Sequence, residues 1–187
     1  MPIAPPGYVY TPDSIVESEN IGSSTILNPE RLNDKDIDDP PGVISVFVTS
    51  LVSQIQVALA ATWASRVVDP GDQFELAIKF QSKVLLHNPP IDIAWTLINY
   101  SLNGGSTYTI LHQFLFGSGG GEGSDSGIIT LGAKFSGSDL DVANLDRVKV
   151  RCFARGEASG GNDTHVQIFF YETWIIDSEG GTITSFI

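Results

Sequence analysis

The sequence predicts an all-β protein: an antiparallel, jelly-roll-like β-sandwich of about eight strands that follows an extended N-terminal arm. Apolar and polar residues alternate along several short segments, which is the pattern of strands that bury one face. The clearest example is residues 73–81, where Phe74, Leu76, Ile78 and Phe80 are predicted to face inward. The 19 glycines and 10 prolines are scattered between such segments, as in proteins whose strands are joined by short turns.

The sequence divides into three parts. Residues 1–20 are rich in proline, which excludes a helix or a central strand. We therefore expect an extended arm there that becomes ordered against a partner; the alternative is a disordered tail without function. The sandwich is expected over residues 21–178, and residues 179–187 are expected to form a tail or an edge strand.

Within the sandwich, strands are predicted from alternation and from turn residues. They cover residues 43–50, 51–61, 73–81, 91–102, 107–116 and 127–135, and a tight turn at residues 103–106 joins two of them. Residues 51–63 contain several alanines and would also suit a helix. A period of two fits them better than one of 3.6, so a strand is preferred.

Residues 146–177 predict two long strands joined by a glycine-rich turn, and the fold prediction depends most on them. On the first strand, Val148, Val150, Cys152 and Ala154 alternate with Arg147, Lys149, Arg151 and Arg155. On the second, the inward set is Val166, Ile168, Phe170, Trp174 and Ile176, and Glu172 on that face indicates a β-bulge. A hairpin about Gly160 would set Cys152 opposite Ile168, so that the two apolar faces coincide.

The outward positions of these two strands also carry large apolar residues. Phe153, Phe169, Tyr171 and Ile175 fall outward by alternation, whereas the outer face of a monomeric sandwich is usually polar. We therefore predict that these four residues form an interface in a homo-oligomer, with a trimer as one candidate state. The alternatives are a register change at a bulge and a cover formed by residues 178–187.

Charge and cysteine content limit the partners. The formal net charge is −12, so the chain repels phosphate backbones and nucleic acid is not an expected partner. Cys152 is the single cysteine and is expected to be a buried apolar residue rather than a reactive thiol. No apolar stretch approaches the roughly 20 residues that span a bilayer, and residues 1–7 lack the features of a signal peptide.

No motif indicates catalysis, so a non-enzymatic protein is predicted. The histidines lie far apart and lack the spacing of zinc ligands, and no Gly-x-Ser-x-Gly elbow is present. The glycine-rich segment 117–124 lacks the Gly-Lys-Ser/Thr ending of a phosphate loop.

One acidic segment is a candidate metal site. Asp34, Asp36 and Asp38 begin like an EF-hand, but Asp39 and Ser45 stand where that motif needs a glycine and an acidic residue. No cofactor is expected, apart from a Ca²⁺ ion that Asp34 and Asp36 could bind together with backbone carbonyls. The alternative is a solvated acidic turn.

Three segments resemble motifs of galactose-binding-like (discoidin-type) β-sandwiches. Residues 28–36 (NPERLNDKD) resemble the early NPxxLxDGD segment, residues 101–108 (SLNGGSTY) resemble the sxDGGxxW hairpin, and residues 144–151 (NLDRVKVR) resemble the late vkVRvya strand. The resemblance implies a sandwich of the kind that recurs in bacteriophage virion proteins, where an arm precedes it. Lys35 replaces the glycine of the acidic loop and Asn33 and Asn103 replace aspartates, which weakens the calcium or sugar site that the family would imply.

Two function hypotheses follow. In the first, the protein is a non-enzymatic structural component of a phage virion, such as a capsid decoration, head-fibre or tail-associated protein. It would join the virion after assembly in the host cytoplasm, self-associate, and be anchored to other virion proteins by residues 1–20. In the second, it is a carbohydrate-binding module that mediates attachment to glycans. Trp63 and Tyr108 are then the candidate glycan-binding aromatics, because they are the least committed to the core.

Overall fold

Two antiparallel β-sheets pack face to face in the computed structural model, so the predicted β-sandwich is confirmed. The structure describes residues 9–10, 12–21, 25–27, 42–48, 55–86, 93–116, 124–157 and 164–177. Its strands are β1 (Val9–Tyr10), β2 (Ser14–Ile21), β3 (Thr25–Leu27), β4 (Gly42–Val48), β5 (Ile55–Thr62), β6 (Gln73–Leu86), β7 (Ile93–Ser101), β8 (Thr109–Phe116), β9 (Ser124–Asp125), β10 (Ile129–Ser136), β11 (Lys149–Glu157) and β12 (Thr164–Asp177). The strand preferred near residues 51–61 is confirmed by β5.

Most strands that are neighbours in a sheet are not consecutive in the sequence. Sheet 1 has the order β10-β6-β12-β4-β3, with β1 paired to β12 and β9 paired to β6. Sheet 2 has the order β2-β5-β11-β7-β8. Two single 3-10 turns, Gly137–Asp139 and Leu145–Arg147, connect β10 of sheet 1 to β11 of sheet 2.

The core lies between the sheets and is formed by the alternating inward residues. Phe74, Leu76, Ile78 and Phe80 of β6 are each at most 1% exposed, as their period of two predicts. They belong to one buried cluster with residues of β11, namely Val150, Cys152 and Ala154. Burying one such large side chain stabilises the fold by about 1.5–3 kcal/mol, so this layer dominates the stability.

The predicted hairpin between the last two strands is wrong. β11 lies between β5 and β7 in sheet 2, where Cys152 is opposite Leu59 and Ile98. β12 lies in sheet 1, where Ile168 is opposite Ile44 and Ser82. Alternation identifies which face of a strand is buried but not its neighbour, because strands on opposite sides of a core bury the same faces as strands in one hairpin.

A β-bulge interrupts β12, as Glu172 indicated. The register shifts between Phe170 and Glu172, and an extra residue inverts the alternation beyond it. Ile175 is consequently opposite Leu76 and fully buried, so its predicted outward position is wrong. Trp174, predicted inward, is opposite the outward-facing Ala77 instead.

The predicted N-terminal arm is part of the sandwich over its described residues. Val9–Tyr10 pairs with β12 in sheet 1, and Ser14–Ile21 pairs with β5 in sheet 2. The segment is extended as expected, but the prediction that it lies outside the sandwich is wrong. Pro12 is buried between the two strands, where its missing N–H interrupts no ladder.

Polar contacts fix this crossing between the sheets. The indole Nε1 of Trp63 donates to the carbonyl oxygen of Tyr10 at 3.1 Å. Arg66 forms an ion pair with Asp13, with 2.9 Å between Nη1 and Oδ2. Residues 1–8, 11, 22–24, 28–41, 49–54, 87–92, 117–123, 158–163 and 178–187 lie outside the described residues, and so do the acidic segment and the tail for which predictions were made.

Candidate ligand-binding face

The outer face of sheet 2 displays the outward side chains of β7 and β11 in register. Arg155 is opposite Trp95, Phe153 is opposite Leu97, and Arg151 is opposite Asn99. Opposed residues of an antiparallel pair share one face of the sheet. Because Val150, Cys152 and Ala154 fill the core, these intervening positions must face away from it.

An aromatic cluster occupies the middle of this face. The rings of Trp95 and Phe153 lie 5.0 Å apart at an interplanar angle of 51°. Phe153 and Leu97 are only 5% and 8% exposed although they point away from the core, whereas Trp95 remains partly exposed. The cluster therefore presents an indole ring on a rigid apolar base, a geometry that suits a flat ligand.

Tyr108 and Arg151 form a second element beside the cluster. The guanidinium carbon of Arg151 lies 4.2 Å from the centre of the Tyr108 ring, within the range of a cation–π contact. Its Nε donates to Oδ1 of Asn99 at 3.3 Å. The guanidinium is thus held in place from two sides, and its position requires little ordering when a ligand binds.

The turn before Tyr108 is closed by its own side chains, and the predicted tight turn is confirmed. Ser101 Oγ accepts from the backbone N–H groups of Asn103 and Gly105 at 3.2 and 2.9 Å. Asn103 Oδ1 accepts from the N–H of Thr107 at 2.9 Å. Gly105 has a φ of 93°, which a side chain would disfavour. The turn therefore sets Tyr108 firmly at the edge of the face.

The two aromatics predicted for glycan binding separate in the structure. Tyr108 lies on the outer face of sheet 2 and is partly exposed. Trp63 is 3% exposed and packs in the core, so its prediction as a surface aromatic is wrong. The covering strand β1 comes from far away in the sequence, and no local pattern around Trp63 reveals it.

Sequence reasoning missed Trp95. Alternation puts Trp95 and Leu97 on one face of β7, but the opposite face of the strand also carries apolar residues, with Ile98 fully buried. A strand that is apolar on both faces does not reveal which one turns inward. The pairing of β7 with β11 shows that Trp95 lies on the outer face beside Phe153. That pairing can be predicted only when the order of the strands in the sheet is known.

The four residues predicted as one interface do not form one surface. Phe153 lies on the outer face of sheet 2, Ile175 is in the core, and Phe169 and Tyr171 are partly buried on the outer face of sheet 1. The ammonium of Lys83 lies 5.3 Å from the centre of the Phe169 ring. The phenol of Tyr171 donates to Oε1 of Gln81 at 3.1 Å. An oligomer interface on this second face stays a prediction for Phe169 and Tyr171 alone.

The described residues offer little metal or thiol chemistry. Within the described ranges, no three His, Cys, Asp or Glu side chains are grouped as a metal site; Asp34 and Asp36 lie outside those ranges, and their Ca²⁺ site stays a prediction. Burial raises the pKa of the Cys152 thiol to about 12, so the thiolate is scarce at neutral pH. In the same part of the chain, no helix is long and apolar enough to cross a membrane.

Comparisons with known proteins give distant structural likenesses only. No protein-family model matches the chain, and no curated protein matches it. Among solved structures, CBM32 of AlyQ in complex with 4,5-unsaturated mannuronic acid is 12% identical, with 90% of this chain and 98% of that chain covered and a TM-score of 0.32. TmCBM61 in complex with beta-1,4-galactotriose is 6% identical, with 88% and 87% covered and a TM-score of 0.34.

A viral structure is also among the matches. The structure of infectious bursal disease virus Gx strain is 11% identical, with 92% of this chain and 34% of that chain covered and a TM-score of 0.35. TM-scores this low carry no functional argument, so the family resemblance noted above stays a prediction. The function proposed below depends on the residues of the site.

Proposed function

We propose that the chain is a non-catalytic carbohydrate-binding protein that holds glycans on the outer face of sheet 2. The observation that carries the proposal is the combination of the partly exposed Trp95 and Tyr108 with the guanidinium of Arg151, which the buried Asn99 holds in position, on one face of sheet 2. Sugar rings have an apolar C–H face that packs on aromatic rings and hydroxyl groups that need hydrogen-bond partners. The site supplies both kinds of contact from adjacent strands.

The rigidity of these side chains supports binding rather than surface packing alone. Trp95 rests on the nearly buried Phe153, and Arg151 is held between Tyr108 and Asn99. A ligand that meets side chains already in position loses less conformational entropy on binding. The absence of any catalytic motif in the sequence is consistent with a module that binds without reaction.

Glycan-array binding followed by titration calorimetry tests this proposal. We expect Tyr108→Ala and Trp95→Ala each to weaken the affinity for the selected glycan by at least about tenfold, as for aromatic anchors that a bound ligand covers. Trp174→Ala is the matched control, because Trp174 lies on the outer face of sheet 1, and it should leave the affinity unchanged. No glycan binding at millimolar protein, or equal losses in all three variants, would overturn the proposal.

A structural role in a phage virion is the second candidate function. It is favoured by the large side chains of Phe169, Tyr171 and Trp174 on the outer face of sheet 1, which a contact with a second copy or another virion protein would cover. Its test is the solution mass of the full chain and its presence in purified particles. A strict monomer at high concentration that is missing from particles would remove this candidate.

A further inference from the structure

Three of the ten basic residues of this acidic protein lie on the outer face of β11, within the proposed glycan face. The chain has 10 lysines and arginines against 22 acidic residues, yet Lys149, Arg151 and Arg155 follow one another along the outer face of β11. Two carboxylate positions share the face by register: Glu157 ends the same row, and Glu19 of β2 lies across β5 from Phe153.

Lys149 and Arg151 differ from other cations of the sandwich in their pairing. Arg66, Lys83 and Arg147 each form an ion pair within the chain, at 2.9, 3.2 and 2.7 Å. In the part of the chain that the structure describes, Lys149 and Arg151 have no carboxylate within 4 Å. Among the side chains that the structure describes, no neighbour therefore neutralises these two charges.

Three donors converge where the turn at Gly105 meets β11. A Cβ atom on Gly105 would lie 3.0 Å from the hydroxyl of Tyr108 and 3.5 Å from Nζ of Lys149. The guanidinium of Arg151 stacks on the same tyrosine ring. An ammonium and a guanidinium thus lie beside one tyrosine that carries a hydroxyl, and charge-assisted hydrogen bonds to a carboxylate are among the strongest that side chains form.

We infer that this site selects acidic glycans, and that Lys149, Arg151 and the Tyr108 hydroxyl bind the carboxylate of a uronic acid residue. The inference rests on the proposed function and specifies its ligand class. A uronan carries one charge per sugar and leaves each ring free to pack on Tyr108 and Trp95. A nucleic acid has a much denser charge, one per about 1.7 Å of duplex, and is repelled by the net charge of −12.

Matched ligand pairs test the inference on the full chain without any variant. Titration calorimetry compares oligogalacturonate, oligomannuronate and oligoglucuronate with their carboxyl-reduced, neutral counterparts. We expect at least one uronate to bind about tenfold or more tightly than its reduced form. That preference should shrink when the salt concentration is raised from 50 mM to 500 mM, since ions screen an exposed charge pair (on the order of a threefold shorter Debye length).

A pair of identical substitutions locates the site. Lys149→Gln should abolish most of the preference for the uronate over its reduced form while leaving the affinity for the reduced form unchanged. Lys134→Gln makes the same change on the exposed outer face of sheet 1 and should preserve the preference. Circular dichroism melts of both variants show whether either substitution has unfolded the chain.

Each outcome separates the inference from the function on which it rests. Equal binding of a uronate and its reduced form would overturn the acidic-glycan inference and leave carbohydrate binding intact. Binding of neither form, nor of any arrayed glycan, would overturn both. Single-stranded DNA that binds as tightly as the uronates would overturn the inference too, because the cations would then attract any polyanion.

Discussion

The hydroxyl groups of Ser82 and Thr96 lie 2.7 Å apart in the core and join the two sheets. Ser82 belongs to β6 of sheet 1 and Thr96 to β7 of sheet 2, and both are at most 1% exposed. A buried hydroxyl needs a hydrogen-bond partner, since an unsatisfied one costs about 1–3 kcal/mol. Each of the two hydroxyl groups therefore depends on the other for its hydrogen bond.

This pair predicts a non-additive double-mutant cycle. Ser82→Ala or Thr96→Val alone should lower the free energy of unfolding by about 1–3 kcal/mol, because each leaves the other hydroxyl without its partner. The double variant should lose no more than the worse single variant. Urea denaturation measures all three, and additive losses would show that the hydroxyls do not interact.

A close approach at Gly137 predicts a large effect of one methyl group. A Cβ atom there would collide with the carbonyl oxygen of Asp69, and the neighbouring backbone bonds from Gly137 to Asp72 and from Ser138 to Pro70 are both 2.9 Å. Gly137→Ala should therefore cost about 3 kcal/mol in the free energy of unfolding, through strain and lost hydrogen bonds. Thermal melts read out the change.

Gly71 provides the control for that substitution. It lies in the adjoining turn, and a Cβ atom on it would meet nothing within 4 Å. Gly71→Ala should change the free energy of unfolding by less than about 0.5 kcal/mol. Similar losses in both variants would contradict the steric explanation.

Burial of His112 predicts a loss of stability in mild acid. The ring lies 4.6 Å from Phe114 and 5.3 Å from Phe80, and burial lowers its pKa from the ordinary 6.5. Burial also lowers the pKa of His165. The unfolded chain then binds protons more readily than the folded one, so this contribution to stability is complete above about pH 6.5 and declines as the pH falls below it.

His112→Phe isolates that effect. The variant keeps an aromatic ring but cannot be protonated, so its midpoint of urea denaturation should fall less between pH 7 and pH 5 than that of the parent chain. Part of the decline should remain, because His165 still titrates. The pKa values of Asp13, Asp125, Asp139 and Asp141 are lowered from the ordinary 3.8, so these carboxylates add a loss of stability only at lower pH. Identical pH profiles for the two chains would contradict the assignment.

The thiol of Cys152 is expected to report unfolding. It is fully buried, with its pKa raised to about 12, so a thiol reagent should react only when the core opens. Labelling with a chromogenic disulfide should be negligible in buffer and complete in denaturant, and its rate at intermediate urea should follow the unfolding transition. Rapid labelling of the native chain would contradict the core position.

The sequence predicts the buried faces well because alternation is local. Phe74 to Phe80 on β6 and Val150 to Ala154 on β11 face the core as predicted. Strand partners are not local: Cys152 lies next to Leu59 and Ile98, about fifty to ninety residues earlier in the chain. Ile175 shows the same limit. Glu172 indicated a bulge, but the sequence did not show that residues beyond it would change from the outer face to the core.

The candidate site was predicted only in part for the same reason. Tyr108 follows a turn whose glycines are visible in the sequence, so its surface position is predictable. Trp95 is partly exposed on the site and Trp63 is buried. Their neighbours Phe153 and Tyr10 decide this, and pairing between distant strands brings those neighbours to them. A single tryptophan gives no local sign of which environment it will meet.

The crossing at Pro12 has a mechanical consequence. A force applied to the chain ahead of Val9 first acts on the short pairing of β1 with Ile175 and Ile176 in sheet 1. Only after this pairing has broken does the force act on the longer pairing of β2 with β5 in sheet 2. The two layers therefore yield one after the other, and a pulling experiment should record a weak early rupture before the main one.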